Sequence, residues 1–423
     1  MEFKESNTIE LKEKFTVKAL KTISAYSNFH DGYLYIGVND SGIVVGVPNV
    51  LHEKLNIENT INTSITPIPM YQMNILDIDG KNVIEIMVSK GNDGPYYYKN
   101  TAYMRNDTST FPLDGPNLTR LVLSSKNITF DQVKTSENNL SFNYLKNKMA
   151  KILGVMNINQ DILTTLGLFK HNLYNNAAIL LSDKDELNQS YIDVAKFKLD
   201  TNTFLDRKKF AYRSILEYLD EVTEYFQASY PTYQVIEGKN RVTKEQIPLV
   251  AFRETLANAI IHRDYLLNSG IQISMFENFI EVVSPGGLPE GIDEEQYRRG
   301  LVSVSRNPII ANVFFRLNLI EQFGTGIRRI NESYIQYRCK PYFEVCSSQI
   351  RIFLPVTNFD YQRLDKKEAI VSYLRANPNS PRQNIEEAVK LDKVTLIRRL
   401  NELENYGIIV RKGNGPSTVY DCK

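Results

Sequence analysis

The sequence predicts an α+β protein of several domains, and three observations predict it. Segments with apolar residues at alternate positions interleave with segments whose apolar residues recur three and four apart, in no repeating strand–helix order. The chain has 423 residues, 42% of them apolar, enough for about two to four domains with packed cores. The last stretch, from residue 361, reads as three short helices and a hairpin, separable from what precedes it.

In order, residues 17–28 place Ala19, Leu20, Ile23 and Tyr26 on one helical face. "DGYLYIGVNDSGIVVGV" predicts two short strands joined by the turn Asn39-Asp40-Ser41-Gly42. Two further strands are expected at 71–77 and 83–89, before the loop "GNDGPYYYKN". The polar run "SSKNITFDQVKTSENNLS" predicts a linker, and "NAAILLS" and "YIDVAKFKL" predict strands joining a neighbouring sheet. From about Arg207 a long helical pattern leads through "IPLVAF" into "ETLANAIIHRDY" (254–265). A strand pair follows in "GIQISMFENFIEVVSPGGLPEGI", then a helix near "RNPIIANVFF", then strand periodicity in "EVCSSQIRIFLPV". These readings divide the chain into 1–125, a linker with connecting strands at 126–205, a domain at 206–360 and a terminal module at 361–423.

Bulk properties narrow the function. Fifty basic residues against forty-nine acidic ones exclude a uniformly basic coat for nucleic acid but permit a local patch. Cys339, Cys346 and Cys422 form no even framework and no close pair, so a reducing compartment without a cysteine metal site is expected. The charged amino terminus cannot act as a secretory h-region, and no apolar run approaches the roughly 20 residues needed to span a bilayer. A soluble, cytoplasmic protein without a membrane partner is the expectation.

"ETLANAIIHRDY" raises a chemical question, because it lines an otherwise apolar helix with groups that are costly to bury. Glu254, Asn258 and His262 are four apart and share a face. A carboxylate serves as general base for water, and an amide oxygen is a reasonable Mg²⁺ ligand. Two glycine loops follow, "SPGGLP" (284–289) and "EQFGTGIRR" (321–329), and glycine lets backbone N–H groups approach a phosphate chain. His262, lone and near a helix end, reads first as a structural group and second as a ligand, and Arg306 either reaches a phosphate or braces a loop.

This order of motifs resembles the ATPase fold of gyrases, histidine kinases and mismatch-repair ATPases (the GHKL group) over residues 206–357, in the variant found in bacterial transcriptional regulators. The resemblance implies an α/β sandwich binding ATP or another nucleotide with Mg²⁺. It implies Glu254 as catalytic base and Asn258 as the Mg²⁺ ligand. Gly286 and Gly287 would stand in the first nucleotide loop, and Gly324, Thr325 and Gly326 in the phosphate-side loop. Ser284 stands where that fold has an aspartate that accepts a bond from adenine, and a neutral acceptor is the weaker one.

"ESNTIELKEKF" with "ISAYSNFHDGYLYIGVNDSGIVVGV" resembles the Schlafen-type AlbA-like domain over about the first 120 residues. That resemblance implies nucleic-acid binding, and in its eukaryotic form metal-dependent cleavage through three acids that map onto Glu5, Glu10 and Asp40. The other reading pairs Glu5 and Glu10 with lysines such as Lys4 and Lys12 and leaves Asp40 to its turn. Lys12, Lys14, Lys18 and Lys21 are candidate phosphate contacts, and Tyr96, Tyr97 and Tyr98 candidate stacking residues. Residues 361–423 hold twelve Lys/Arg against eight Asp/Glu and have the arrangement of a winged helix. There Val394, Ile397, Leu400 and Leu403 are expected to face a core. Lys393, Thr395, Arg398 and Arg399 would face DNA, with Arg411 and Lys412 on the wing. The expected function is a nucleotide-modulated DNA-binding regulator, with copies of the same chain as further partners. The alternative is a nucleotide-gated nuclease of RNA or single-stranded DNA, serving stress or phage defence.

Overall fold

The computed structural model describes residues 3–184, 187, 190–199, 203–289, 291–300, 304–321 and 325–423, in two compact units divided after Thr129. The architecture is α+β. Among the described residues no helix is long and apolar enough to cross a membrane.

In the first unit, β1 (Ile9–Lys12) runs parallel to β2 (Gly32–Ile36), and β3 (Tyr71–Ile78) and β4 (Lys81–Val88) complete an otherwise antiparallel sheet in the order β1-β2-β4-β3. Helix α1 (Ala19–Phe29) buries Leu20, Ile23 and Tyr26 against Leu34, Ile36, Ile84 and Ile86. The strand expected after the Asn39–Gly42 turn does not form; a single bridge, Val38 to Val44, takes its place. Asn39 Oδ1 accepts from the backbone N–H groups of Ser41 and Ile43 and closes the turn locally.

The second unit is built on a six-stranded sheet. Its strands are β5 (Tyr191–Phe197), β6 (Phe204–Ala211), β7 (Ile271–Met275), β8 (Phe279–Pro285), β9 (Tyr342–Val345) and β10 (Gln349–Pro355), in the order β6-β5-β7-β8-β10-β9. Two expectations change here. "NAAILLS" is a helix, α2 (Asn176–Leu181), buried throughout. An apolar run this short has no readable period, and the Asn175 side chain decides it by accepting from Ala178 N–H at 3.0 Å. The long helix expected from Arg207 is first the edge strand β6, whose charged side chains are mostly exposed. The helix, α3 (Ile215–Ser229), starts only at its cap Ser214, and a hairpin of Tyr233–Glu237 and Asn240–Lys244 separates it from α4 (Leu249–His262). Helix propensity in that stretch yields to cross-strand pairing.

The polar run expected as a linker is anchored as well. Asp131, fully buried, accepts from the N–H groups of Ile309 and Ile310 and so caps α5 (Pro308–Arg316). A single core extends from Leu145 to Val356, and a second lies within residues 361–420. That second core holds α7 (Lys366–Ala376), α8 (Arg382–Val389) and α9 (Lys393–Asn405), with the hairpin β11 (Ile409–Lys412) and β12 (Val419–Cys422). Ahead of them comes α6 (Gly326–Ser333), packed on α4.

The phase of α9 differs from the expected one. Leu396, Leu400 and Leu403 are buried, whereas Val394 and Ile397 are exposed. Both sets have helical spacing, so period alone cannot choose between them. The leucine stripe meets the module's core, and Val394, about 200° around the helix from Leu396, is left outside.

Candidate functional site

Helix α4 is buried on nearly every side, which is why its polar residues must each be accounted for. Its C-terminal "HRDY" turns out to be a clasp. The Arg263 guanidinium, 1% exposed, donates to the carbonyls of Leu267 and Ser269 and lies 4.7 Å from the Tyr265 ring. Tyr265 donates its hydroxyl to Ile260 O. Asp264 accepts from Leu266 N–H and stands 3.4 Å from Arg306. Asn307, fully buried, donates to Ile261 O and Arg263 O, the carbonyls left over at the helix end. Of these partners, Arg306 and Asn307 were not visible in the sequence, because the fold brings them in from more than forty residues away.

Glu254, Asn258 and His262 have a different setting. Asn258 and His262 line a cavity, open to solvent at its mouth, together with Ser284, Gly287 and Gly326. Its walls are mostly apolar, with Val282, Ile327, Ile350 and Ile352 among them. The Asn258 amide makes no hydrogen bond among the described residues. Glu254, 6% exposed, lies one turn earlier, and its Oε1 accepts from Arg329 at 3.1 Å. Arg329 also stands 3.4 Å from Glu321, whose carboxylate accepts from Thr325 Oγ1. Burial pushes the Glu254 carboxyl up, the Arg329 cation opposes that, and Glu321 adds to it. Burial also holds the His262 imidazole down, to about 4, with the Arg306 cation adding to the shift, so the ring is neutral at pH 7.

Gly326 opens α6 directly against this pair. A Cβ there would lie 2.7 Å from both Asn258 Nδ2 and Glu254 Oε2, so any larger residue would push these two side chains aside. Among the described residues no side chain caps the amino end of α6, and its first residue, Gly326, stands next to Asn258. The other loop glycines serve the protein itself. Gly286 has φ +100° and a Cβ would meet Asp264 at 2.6 Å, while at Gly287 it would meet Ser347 O at 2.5 Å. Arg306 donates to Gly287 O at 2.6 Å and, with Asp264, braces that loop. Ser284 donates its hydroxyl to Ala259 O at 3.0 Å, leaving only lone pairs toward the cavity. Gly324 lies outside the described residues. Arg329 and Asn307 are the site residues that sequence reasoning passed over.

The three amino-terminal acids are placed differently. Glu10 forms ion pairs with Arg105 at 2.5 Å and Lys12 at 2.7 Å, and Glu5 accepts from Leu11 N–H with Lys12 at 3.5 Å. Asp40 is exposed in its turn. Among the described residues no group of three or more His, Cys, Asp or Glu is placed to hold a metal ion. Tyr96 and Tyr98 are buried in the core of this unit; Lys14 and Lys18 are exposed.

In the terminal module, Thr395 belongs to the cap of α9, its N–H donating to Asp392. Arg399 is paired with Glu402 at 2.8 Å, and Lys412 with Asp421 at 2.7 Å. Lys393, Arg398 and Arg411 are exposed. The module sits on the sheet face opposite the cavity. Asn278, in the β7–β8 turn, donates to Ser372 O at 2.7 Å, and Ala376 packs with Phe279 and Phe353. Asn379 donates to Tyr342 Oη at 2.7 Å.

Comparison with known proteins gives two partial matches. Residues 1–114 match the Schlafen AlbA_2 family. Residues 268–354 match a family described as "Putative ATP-dependent DNA helicase recG C-terminal". The second match begins after α4, so the place of Glu254 and Asn258 at the cavity rests on geometry. A search of curated proteins finds no match. Among solved structures, the DIP2311 protein from Corynebacterium diphtheriae is 18% identical, with a TM-score of 0.50 over 99% of this chain and 92% of its own, a likeness of fold alone. The N-terminal domain of a "Putative ATP-dependent DNA Helicase RecG-related Protein" from Nitrosomonas europaea is 24% identical, covers 25% of this chain and 83% of its own, and has a TM-score of 0.21.

Proposed function

We propose that the chain is a DNA-binding protein whose occupancy is modulated by a nucleotide, acting as a transcriptional regulator. One observation carries the nucleotide half. The Asn258 amide, without a hydrogen bond among the described residues, lines a mostly apolar cavity beside the start of α6 and the buried Glu254. The apolar walls suit a planar base, and backbone N–H groups at a helix start suit phosphate. ATP with Mg²⁺ fits these donors: Asn258 would hold the metal, Ser284 has lone pairs for an exocyclic amino group, and the bound group supplies the phosphate chain. Glu254 is the residue placed to take a proton from water, yet Arg329 already holds it. Binding, with slow turnover at most, is the expected activity.

The DNA half is supported by the excess of four positive charges in residues 361–423 and by the exposed cations of α9 and β11, in a winged-helix arrangement. The match of residues 1–114 to the Schlafen AlbA_2 family supports a second nucleic-acid contact. The two halves have a physical link. Strands β8 and β10 carry cavity residues Val282, Ser284, Ile350 and Ile352 on one face, and on the other hold Phe279 and Phe353 against the terminal module.

Calorimetric titration with ATP, ADP and GTP, with and without Mg²⁺, tests the reading. Saturable binding that depends on Mg²⁺ and weakens in Asn258→Ala is the expected result. No heat at millimolar nucleotide would sink it.

A further inference from the structure

Helix α9 presents two faces of opposite character. The outer one carries Lys393, Val394, Ile397, Arg398 and Asn401, all exposed, with Val394 at 79% and Ile397 at 37%. Val394 and Ile397 are one turn apart and share a side of the helix. Arg398 lies one turn beyond Val394, and Asn401 one turn beyond Ile397. Two cations, an amide and two apolar groups make up the set, with no carboxylate among them. Acids flank the set without entering it: Asp392 caps the helix start beside Lys393, and Glu402 is shared by Lys367, Arg399 and Arg398.

The chemistry of a base-pair edge matches that set member by member. An Asn side chain pairs with adenine N6 and N7, an Arg with guanine O6 and N7, and an apolar group packs on the thymine C5-methyl. A protein partner fits less well, since the centres of protein interfaces are depleted of charged residues such as lysine. Three helical positions advance about 4.5 Å, against roughly 3.4 Å between base pairs, so two such residues meet neighbouring pairs.

We infer that α9 reads A·T base pairs in the major groove, with Val394 and Ile397 packed on thymine methyl groups and Asn401 on an adjacent adenine edge. This rests on the proposed DNA binding and names what that site recognises. The structural role of α9 is carried by its other face, so changes here leave the fold intact.

The test uses the full chain. Duplexes are selected from a random-sequence pool, and in the selected site each thymine is replaced in turn by deoxyuridine, which removes only the methyl group. Binding should weaken about fourfold at one or two neighbouring positions, the value of one buried carbon. That penalty should vanish at one position in Val394→Ala and at the other in Ile397→Ala, while Asn401→Ala should relax the choice of adenine. Sequence-specific binding with no penalty at any thymine overturns the inference and leaves DNA binding standing. So does a penalty that persists in both variants, or a change of oligomeric state in Val394→Ala with DNA affinity unaltered. Failure to bind any duplex overturns the DNA reading itself.

Discussion

At the scale of single residues, the same side chain type has opposite roles according to what the fold places beside it. Glu254 and Glu10 are both buried carboxylates matched to an arginine, yet one borders a cavity and the other closes a core. Arg105 has a side chain only 1% exposed, and besides Glu10 it donates to Ser6 O and Ile9 O. Glu10→Gln therefore leaves a buried cation under-compensated, and removing one partner of such a pair costs about 3 kcal/mol or more. Thermal unfolding of the chain should show a clear loss of stability. Asp40→Asn, at an exposed turn position, should leave the transition unmoved. Equal losses at both positions would mean that Asp40, too, holds the fold.

At the scale of elements, α4 and α7 are held by loop residues rather than by their own sequence. Asn278 is fully buried, and its amide donates to both Ser372 O and Ser372 Oγ on α7. Asn278→Ala leaves those acceptors unsatisfied in a buried contact, a cost of about 1–3 kcal/mol. The loss should appear as local loosening. Hydrogen exchange on α7 should quicken, and limited proteolysis should cut near residues 356–365, while α4 stays protected. If α4 and α7 loosen together, the module has no separate docking equilibrium. Arg363 paired with Glu277, and Asn379 with Tyr342, keep the contact from failing outright.

At the scale of the whole molecule, the cavity and the docked module share β8 and β10, so a ligand in one is expected to bias the other. Coupling free energies of this kind are about 1–3 kcal/mol, a factor of roughly 5 to 150 in affinity. Saturating ATP and Mg²⁺ should change duplex affinity by some factor in that range, and saturating duplex should change nucleotide affinity by the same factor. Reciprocity is required by thermodynamics, so unequal factors would show that the measurements report something other than one coupled equilibrium. In Asn278→Ala the factor should fall toward one with intrinsic nucleotide binding retained. A factor near one in the unaltered chain would leave the two halves of the proposed function as separate activities.

By itself the sequence determined the elements whose chemistry is local. The helix ending in "HRDY", the strands around 71–77 and 83–89, the hairpin near the end of the chain and the polar face of Glu254, Asn258 and His262 all follow from period and spacing. It also marked the glycine loops, although not their purpose. Tertiary structure decided everything that depends on a distant partner. It made "NAAILLS" a helix through a cap, turned the Arg207 stretch into a strand by pairing, and chose the leucine stripe of α9 over an equally periodic one. It gave Arg105, 95 residues away, to Glu10, and Arg329 to Glu254. The reason is physical: a periodic pattern records which side of an element is apolar, whereas a buried charge or amide is acceptable only where the fold delivers a matching group, and that group has no fixed distance along the chain.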